Sequence, residues 1–326
     1  MRAAGHSSAE RGTLEVAVAG RVAEATLRRL TERAPYLDLV RVPSLPRADG
    51  RGSDAEVLLV AGLSSPEAAA VVAKLPRLRW VHACSSGVDR LVAPGVLRQG
   101  IRLTRTAHAR AAPMAEYVVT ATLALYRRLP ELLAAQREQR WERLAVAGLA
   151  GASVGFVGAG AVARAAATRF RAFGTRLLAL RRRPSPLPEF DEVWGWGRLR
   201  ELLQAVDVVV IACALTPETH RLIGAAELDS MRPSAVLVNV ARGAVVDETA
   251  LVDALERGAI AGAALDVFEH EPLPESSPLW RMPGVIVTPH QAAAVPGVWE
   301  AVADEFLMNH ERFMAGAPLL HEVVLG

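Results

Sequence analysis

Short apolar runs alternate with stretches of helical periodicity along almost the whole chain. The first half reads as strands over 14–19, 56–61 and 78–84, with helices over 21–33 and 65–74 between them. Such alternation predicts a parallel sheet with helices on both faces. Residues 113–141 form one long helical pattern, expected to kink or break at Pro130, and it reads as a link between two domains. A second series opens with a buried strand over 153–157 and a helix over 161–173. Further strands follow over 175–180, 206–212, 235–240, 260–265 and 285–288, with a helix over 248–257 among them. The last helix, 298–314, lies beyond the final strand and is expected to return to the first domain.

Length supports this division, because 326 residues suffice for two domain cores. A net charge of +2 gives no field that would favour nucleic acid or an anionic membrane, so neither is expected as a partner. No apolar stretch approaches the ~18 to 20 residues that cross a bilayer. The polar start, 1–12, lacks the apolar core of a signal peptide and reads as a disordered tail. Cys84 and Cys213 are the only cysteines, and both lie in apolar runs. Buried free thiols in a reducing compartment fit them better than a disulfide, so a cytoplasmic enzyme is the expectation. None of the eight histidines falls in an H-x-H or H-E-x-x-H pattern, so no metal is expected.

The first chemical signal is Gly158-Ala159-Gly160-Ala161-Val162-Ala163, a G-x-G-x-x-A pattern between a strand and a helix. Gly158 can make the tight turn, Gly160 can let a pyrophosphate approach the backbone, and Ala163 permits close packing of helix on strand. The N–H groups opening the helix, at Ala161 and Val162, then face the phosphates with the positive end of the helix dipole. In an alanine-rich protein the pattern alone is weak; its context of strand, turn and helix makes it a dinucleotide seat. About 20 residues further on, NAD sites place an acidic residue for the ribose 2′-hydroxyl. Here Arg181, Arg182 and Arg183 stand instead. Guanidinium forks bind a 2′-phosphate, so NADP(H) is favoured and NAD(H) is possible. The plainer reading of that run is a solvated basic loop.

The remaining motifs carry a resemblance. They are Ser85-Ser86-Gly87-Val88-Asp89, Met114-Ala115-Glu116-Tyr117, Leu215-Thr216-Pro217-Glu218-Thr219 and Asn239-Val240-Ala241-Arg242-Gly243. Leu265-Asp266-Val267-Phe268-Glu269-His270-Glu271-Pro272 and Thr288-Pro289-His290 complete the set. Together with the glycine turn they resemble the D-isomer-specific 2-hydroxyacid dehydrogenases, in particular the glyoxylate and hydroxypyruvate reductases. The resemblance implies an α/β fold of two domains, a Rossmann dinucleotide-binding domain (112–292) inserted in a flavodoxin-like substrate domain (13–111 and 293–326). It implies that Arg242 binds the substrate carboxylate and polarises the 2-oxo group. His290 would donate the proton, oriented by Glu271, while Glu269 is a decoy two positions away. Asp266 would bind the nicotinamide carboxamide and Thr216 would lie in the loop over the cofactor. Ser86 and Gly87 would offer backbone N–H groups to the carboxylate of a small 2-oxo or 2-hydroxy acid. A homodimer built through the cofactor domain is also implied.

Some positions depart from that pattern. Ala214 replaces a usual proline, Arg105 and His108 stand where asparagine and glycine are common, and Gln291 follows the histidine where an apolar residue is usual. His108 and Gln291 leave the particular 2-oxo acid open. Other anionic substrates, such as 3-phosphoglycerate or phosphite, would need Arg242 too. A non-catalytic, dinucleotide-sensing relative of the corepressor kind is the alternative from a different class.

Overall fold

A computed structural model describes residues 14–42 and 54–324. The tail expected over 1–12 lies outside the described residues. The described residues form two compact units: one combines the chain up to 109 with the segment from 296 onward, and the other is continuous over 110–295.

The first unit begins with β1 (Leu14–Gly20), α1 (Glu24–Arg33), β2 (Leu37–Arg41), β3 (Val57–Ala61), α2 (Ser65–Ala73), β4 (Trp80–Ala83) and β5 (Arg102–Arg105). Val57, Leu58, Leu59 and Val60 are all buried, as expected for a strand covered on both faces. The start of α2 is fixed chemically. Ser64 Oγ accepts the Glu67 N–H and the Glu67 carboxylate accepts the Ser64 N–H, a reciprocal cap.

The second unit opens with α3 (Ala111–Tyr126) and α4 (Leu129–Arg137). It continues through β6 (Ser153–Val157), α5 (Ala161–Arg171), β7 (Arg176–Leu180), β8 (Glu192–Trp194), α6 (Leu199–Ala205), β9 (Val208–Ile211) and α7 (Ala225–Leu228). It closes with β10 (Val236–Asn239), α8 (Glu248–Glu256), β11 (Gly262–Leu265) and β12 (Val285–Val287). The expected helix over 113–141 needs correction. It breaks at Arg127 and Arg128, where Arg128 takes φ of 51°, and Pro130 sits harmlessly in the first turn of α4. A proline there loses no hydrogen bond, because the first helical N–H groups have no intrahelical acceptor.

The chain then returns to the first unit with α9 (Val298–Met314) and β13 (Glu322–Val323). Val302, Phe306, Asn309 and His310 recur at helical spacing and are all buried. The Phe306 ring stacks on Trp80 at 5.3 Å between centroids, which anchors α9 in the core around β1, β3 and β4.

Among the described residues the first unit holds a six-stranded sheet, ordered β13-β5-β4-β3-β1-β2, with only β13 antiparallel. The second holds a seven-stranded parallel sheet, ordered β12-β11-β10-β9-β6-β7-β8. Its strand order reverses between β6 and β9, the doubly wound arrangement of a Rossmann fold. That arrangement opens a crevice at the carboxyl ends of the strands, beside the reversal. Because all seven strands run the same way, every loop that follows one emerges at that edge.

Candidate active site

The glycine turn lies where the sheet reverses. Gly158 follows β6 directly, with φ of 105°. A Cβ at this position would sit 2.8 Å from the Ala212 carbonyl oxygen and the Cys213 nitrogen, in the chain leaving β9. Both the dihedral and the space therefore demand glycine. The Gly158 N–H donates to the Leu180 carbonyl at 3.0 Å, tying the turn to the end of β7. Gly160 caps α5 in an extended conformation, with no side chain closing the helix end. A Cβ there would meet nothing within 4 Å. Ala161 and Val162 open the helix, so their N–H groups have no intrahelical acceptor, while Ala163 is fully buried against the sheet. This cradle fits a pyrophosphate, whose charge the helix N-terminus favours.

Arg181 continues directly from β7. Its N–H donates to the Trp194 carbonyl and its guanidinium to Ser185 Oγ, both at 3.0 Å. Arg182 faces Glu218 at 3.8 Å with both side chains 72% exposed, so water screens the pair and leaves that guanidinium available. In the loop after β9, Thr219 Oγ1 donates to the Ala214 carbonyl and accepts the Thr216 N–H. Thr216 Oγ1 donates to the Glu218 carboxylate at 2.7 Å. These bonds shape the loop without the proline common before Leu-Thr.

Arg242, Glu271 and His290 come from the loops after β10, β11 and β12. Asn239, buried at the end of β10, accepts the Ala241 N–H and donates to the Arg242 carbonyl, which folds the turn carrying Arg242. Arg242 itself is extended, with φ of −145°. The following Gly243 explains the Arg-Gly pair. A Cβ there would lie 1.8 Å from the Phe268 carbonyl carbon and 2.3 Å from the Glu269 nitrogen. Only glycine lets the Arg242 turn touch the segment leading to Glu271. Gly243→Ala is therefore expected to cost more than about 2 kcal/mol of stability and most activity, since backbone must move. Thermal unfolding and steady-state rates check this; an unchanged melting temperature would refute the packing argument.

Glu271 Oε2 lies 2.9 Å from His290 Nδ1, and Glu271 Oε1 accepts the Phe268 N–H at 3.2 Å. Burial works against ionisation of Glu271. The hydrogen bond and charge of His290, the Phe268 N–H and the charge of Arg242 outweigh it, so its pKa falls below the ordinary carboxylate value. An ionised carboxylate only accepts, so His290 Nδ1 carries a proton and Nε2 is left to exchange one. The His290 backbone has φ of 52°, in the left-handed region that histidine rarely adopts.

That conformation is held by Asp266, which is 2% exposed. Its carboxylate accepts the Thr288 hydroxyl at 2.7 Å and the N–H groups of Gln291 and Ala292 at 2.9 Å. The His290 N–H donates to the Asp266 carbonyl at 2.8 Å. Tyr117, on α3, places its hydroxyl 2.8 Å from Thr288 Oγ1, and burial pushes that phenol up to about 12. Asp266 thus clamps the histidine turn, a role the sequence reading did not assign. Asn239, Thr288 and Tyr117 were also missed as site residues. One sequence signal was available for Asn239: a buried polar residue ending an apolar strand.

Ser86 and Gly87 belong to the first unit, in the loop after β4. Ser85 Oγ donates to the Gly87 carbonyl at 2.8 Å, and Arg105 donates to the Ser86 carbonyl at 2.9 Å. Among the described residues no group of three His, Cys, Asp or Glu side chains is placed to hold a metal, and no helix is long and apolar enough to cross a membrane. Cys84 is buried; Cys213 is partly exposed, and burial pushes its thiol up to about 12.

Comparison with known proteins identifies the family. Residues 119–292 match the sequence profile described as "D-isomer specific 2-hydroxyacid dehydrogenase, NAD binding domain". A glyoxylate reductase from Thermococcus gammatolerans is 38% identical over 250 residues, which is 74% of this chain and 75% of that protein. The crystal structure of a D-isomer specific 2-hydroxyacid dehydrogenase from Xanthobacter autotrophicus, in complex with NADPH and MES, superposes with a TM-score of 0.86. It is 32% identical and covers 96% of this chain and 99% of its own. An NADPH-dependent glyoxylate/hydroxypyruvate reductase from Sinorhizobium meliloti, in complex with NADP and sulfate, superposes with a TM-score of 0.84. It is 26% identical and covers 95% and 98% of the two chains.

Proposed function

The chain belongs to the D-isomer-specific 2-hydroxyacid dehydrogenase family, an NAD(P)-dependent oxidoreductase acting on 2-oxo acids, and on that footing we propose that it reduces glyoxylate, hydroxypyruvate or a similarly small 2-oxo acid with NADPH. The observation that carries this reading is the trio at one edge of one parallel sheet. Arg242, the His290–Glu271 pair and the open cradle above Gly160 all lie on loops leaving its carboxyl ends.

Gly158, Gly160 and the N–H groups of Ala161 and Val162 would hold the pyrophosphate of a bound dinucleotide, with Thr216 in the loop expected to cover it and Asp266 expected to serve the nicotinamide. When bound, the nicotinamide supplies the hydride. The Arg242 guanidinium pairs with the substrate carboxylate and draws electron density from the 2-oxo group. His290 Nε2 gives its proton to the carbonyl oxygen as negative charge develops there. Glu271, held ionised, keeps the imidazole oriented through Nδ1 and leaves Nε2 for the substrate. Ser86 and Gly87, in the first unit, would offer backbone N–H groups to the carboxylate of an anionic substrate.

The preference for NADPH rests on Arg181 and Arg182 beyond β7, with no acidic residue at the first positions after the strand. Arg181→Asp is expected to lower kcat/KM for NADPH by roughly 10-fold to 100-fold while leaving NADH nearly untouched. Parallel titrations with the two cofactors test it, and an unaltered ratio would reduce the loop to solvated surface.

The proposed assembly is a homodimer through the second unit. Leu129, Leu133 and Val146 are 43%, 50% and 44% exposed, and Trp141 is 94% exposed, all in one stretch of that unit. Apolar side chains so concentrated favour a partner surface. Light scattering should give twice the chain mass and Trp141→Glu the monomer mass; a wild-type monomer would refute the assembly. A cytoplasmic location is the reading its free thiols favour.

A spectrophotometric screen with glyoxylate, hydroxypyruvate, pyruvate and bulkier 2-oxo acids, run with NADPH and NADH, tests the activity. Turnover of the small acids with NADPH supports the reading. No turnover of any 2-oxo acid would overturn it.

A further inference from the structure

We propose that Arg105 is a positioning residue that strengthens the grip on the substrate carboxylate by acting through the Ser86–Gly87 peptide. The inference rests on the reading that Ser86 and Gly87 offer their N–H groups to that carboxylate, and it extends the binding machinery to a residue behind the loop. Arg105 ends β5, next in the sheet to β4, whose following loop carries Ser86 and Gly87. The two strands are parallel, so the arginine and the loop leave the sheet at the same edge.

Arg105 Nη1 donates to the Ser86 carbonyl oxygen at 2.9 Å. That oxygen belongs to the same peptide unit as the Gly87 N–H. A cationic donor on the carbonyl pulls electron density across the amide and makes its N–H a stronger donor. The loop is held from the other side as well, by Ser85 Oγ donating to the Gly87 carbonyl at 2.8 Å. With both flanking carbonyls engaged, the Gly87 N–H is oriented before any ligand arrives, and preorganised donors lose less on binding than flexible ones.

The charge points the same way. Among the described residues the one side-chain hydrogen bond of Arg105 is the one to Ser86, and no carboxylate pairs with it. Burial alone acts on its pKa, pulling it down. No charged group offsets that effect. The His108 and His321 rings meet edge to face with centroids 4.6 Å apart, and burial first, then His108 and to a lesser degree Arg105, make His321 harder to protonate. Glu305, the acid of this region, is committed to the backbone N–H groups of Ala107, His108 and Ala109. A partly buried cation without a counter-ion is unfavourable. An anion held on the peptide that it polarises would relieve that cost. The Ser86 hydroxyl is buried without a hydrogen-bond partner, so this loop also retains donor capacity.

Arg105→Met removes both donor and charge while keeping an apolar stem. It is expected to raise the KM for glyoxylate and the inhibition constant of oxamate together, by roughly tenfold. The turnover number should change by less than about threefold, and the KM for NADPH should hold. Arg105→Lys, which keeps the cation, should recover part of the loss, and Arg105→Gln, which keeps a donor without charge, should recover less. A methionine variant with unaltered glyoxylate and oxamate constants would overturn the proposal. So would one that loses turnover number at constant KM, or weakens NADPH and glyoxylate alike. If the methionine variant fails to fold, the lysine and glutamine variants decide: equal constants in those two and the wild type would refute a role for the charge. Failure of the wild type to reduce any 2-oxo acid would defeat the proposed function itself. Normal wild-type turnover with unaffected Arg105 variants defeats this inference alone.

Discussion

His290→Ala is expected to lower the turnover number by roughly 10²-fold to 10⁴-fold, the usual worth of a positioned general acid. The dissociation constant for NADPH should stay within about twofold, because the backbone hydrogen bonds found for Gly158 and Gly160 run to other segments than the imidazole turn. Two features make the loss large. Glu271 accepts from Nδ1 at 2.9 Å and is held ionised, so the ring is oriented with Nε2 as the exchanging nitrogen. Asp266 fixes the backbone on both sides through Thr288, Gln291 and Ala292, so neighbouring groups are not free to move into the vacated position. Water can enter the space, but it is a poor acid at neutral pH. Steady-state kinetics with cofactor fluorescence titration separates the two quantities. A turnover number within about threefold of wild type would remove His290 from the chemistry.

Arg242→Ala should be the more damaging change in kcat/KM, by roughly 10³-fold or more, because binding and polarisation are lost together. KM should rise and the turnover number fall in the same variant. Arg242→Lys should recover only a small part, since an ammonium cannot reproduce the planar fork that meets a carboxylate with two parallel bonds. The turn itself should survive. Asn239 binds the Arg242 backbone carbonyl and the Ala241 N–H, neither of which the substitution removes. A melting temperature close to wild type would therefore accompany the kinetic loss. An effect confined to NADPH affinity would assign Arg242 to the cofactor instead.

Strong periodicity and steric necessity made the central elements legible in the sequence. The helix expected over 298–314 is α9 to the residue, because Val302, Phe306 and His310 mark its buried face. The G-x-G-x-x-A turn was readable because Gly158 has no alternative: its dihedral and its contact with Ala212 and Cys213 both exclude a side chain. Other elements left weaker traces. β5 reads Arg-Leu-Thr-Arg, and only Leu103 and Thr104 are buried, so its apolar pattern is too short to announce a strand. β13 is two residues long and exists through pairing with β5, a contact some 220 positions away in sequence. The helix break at Arg127 and Arg128 was assigned to Pro130 because a proline is the usual breaker; its place in the first turn of α4 depends on where the preceding helix ends. At the site, residue types pointed to Arg242, Glu271 and His290. The clamp by Asp266 and the contact at Gly243 did not show in the same way. Both are encounters between loops after different strands, and sequence spacing carries no information about such contacts.

Hydride delivery to the 2-oxo carbon is the central step of the proposed reaction. The decisive measurement is the reduction of glyoxylate with NADPH carrying deuterium at the transferable position of the nicotinamide. Deuterium found at carbon 2 of the glycolate formed, with slower turnover than with unlabelled cofactor when chemistry limits the rate, is the predicted result. Glycolate lacking the label, or no consumption of NADPH with any 2-oxo acid, would contradict it.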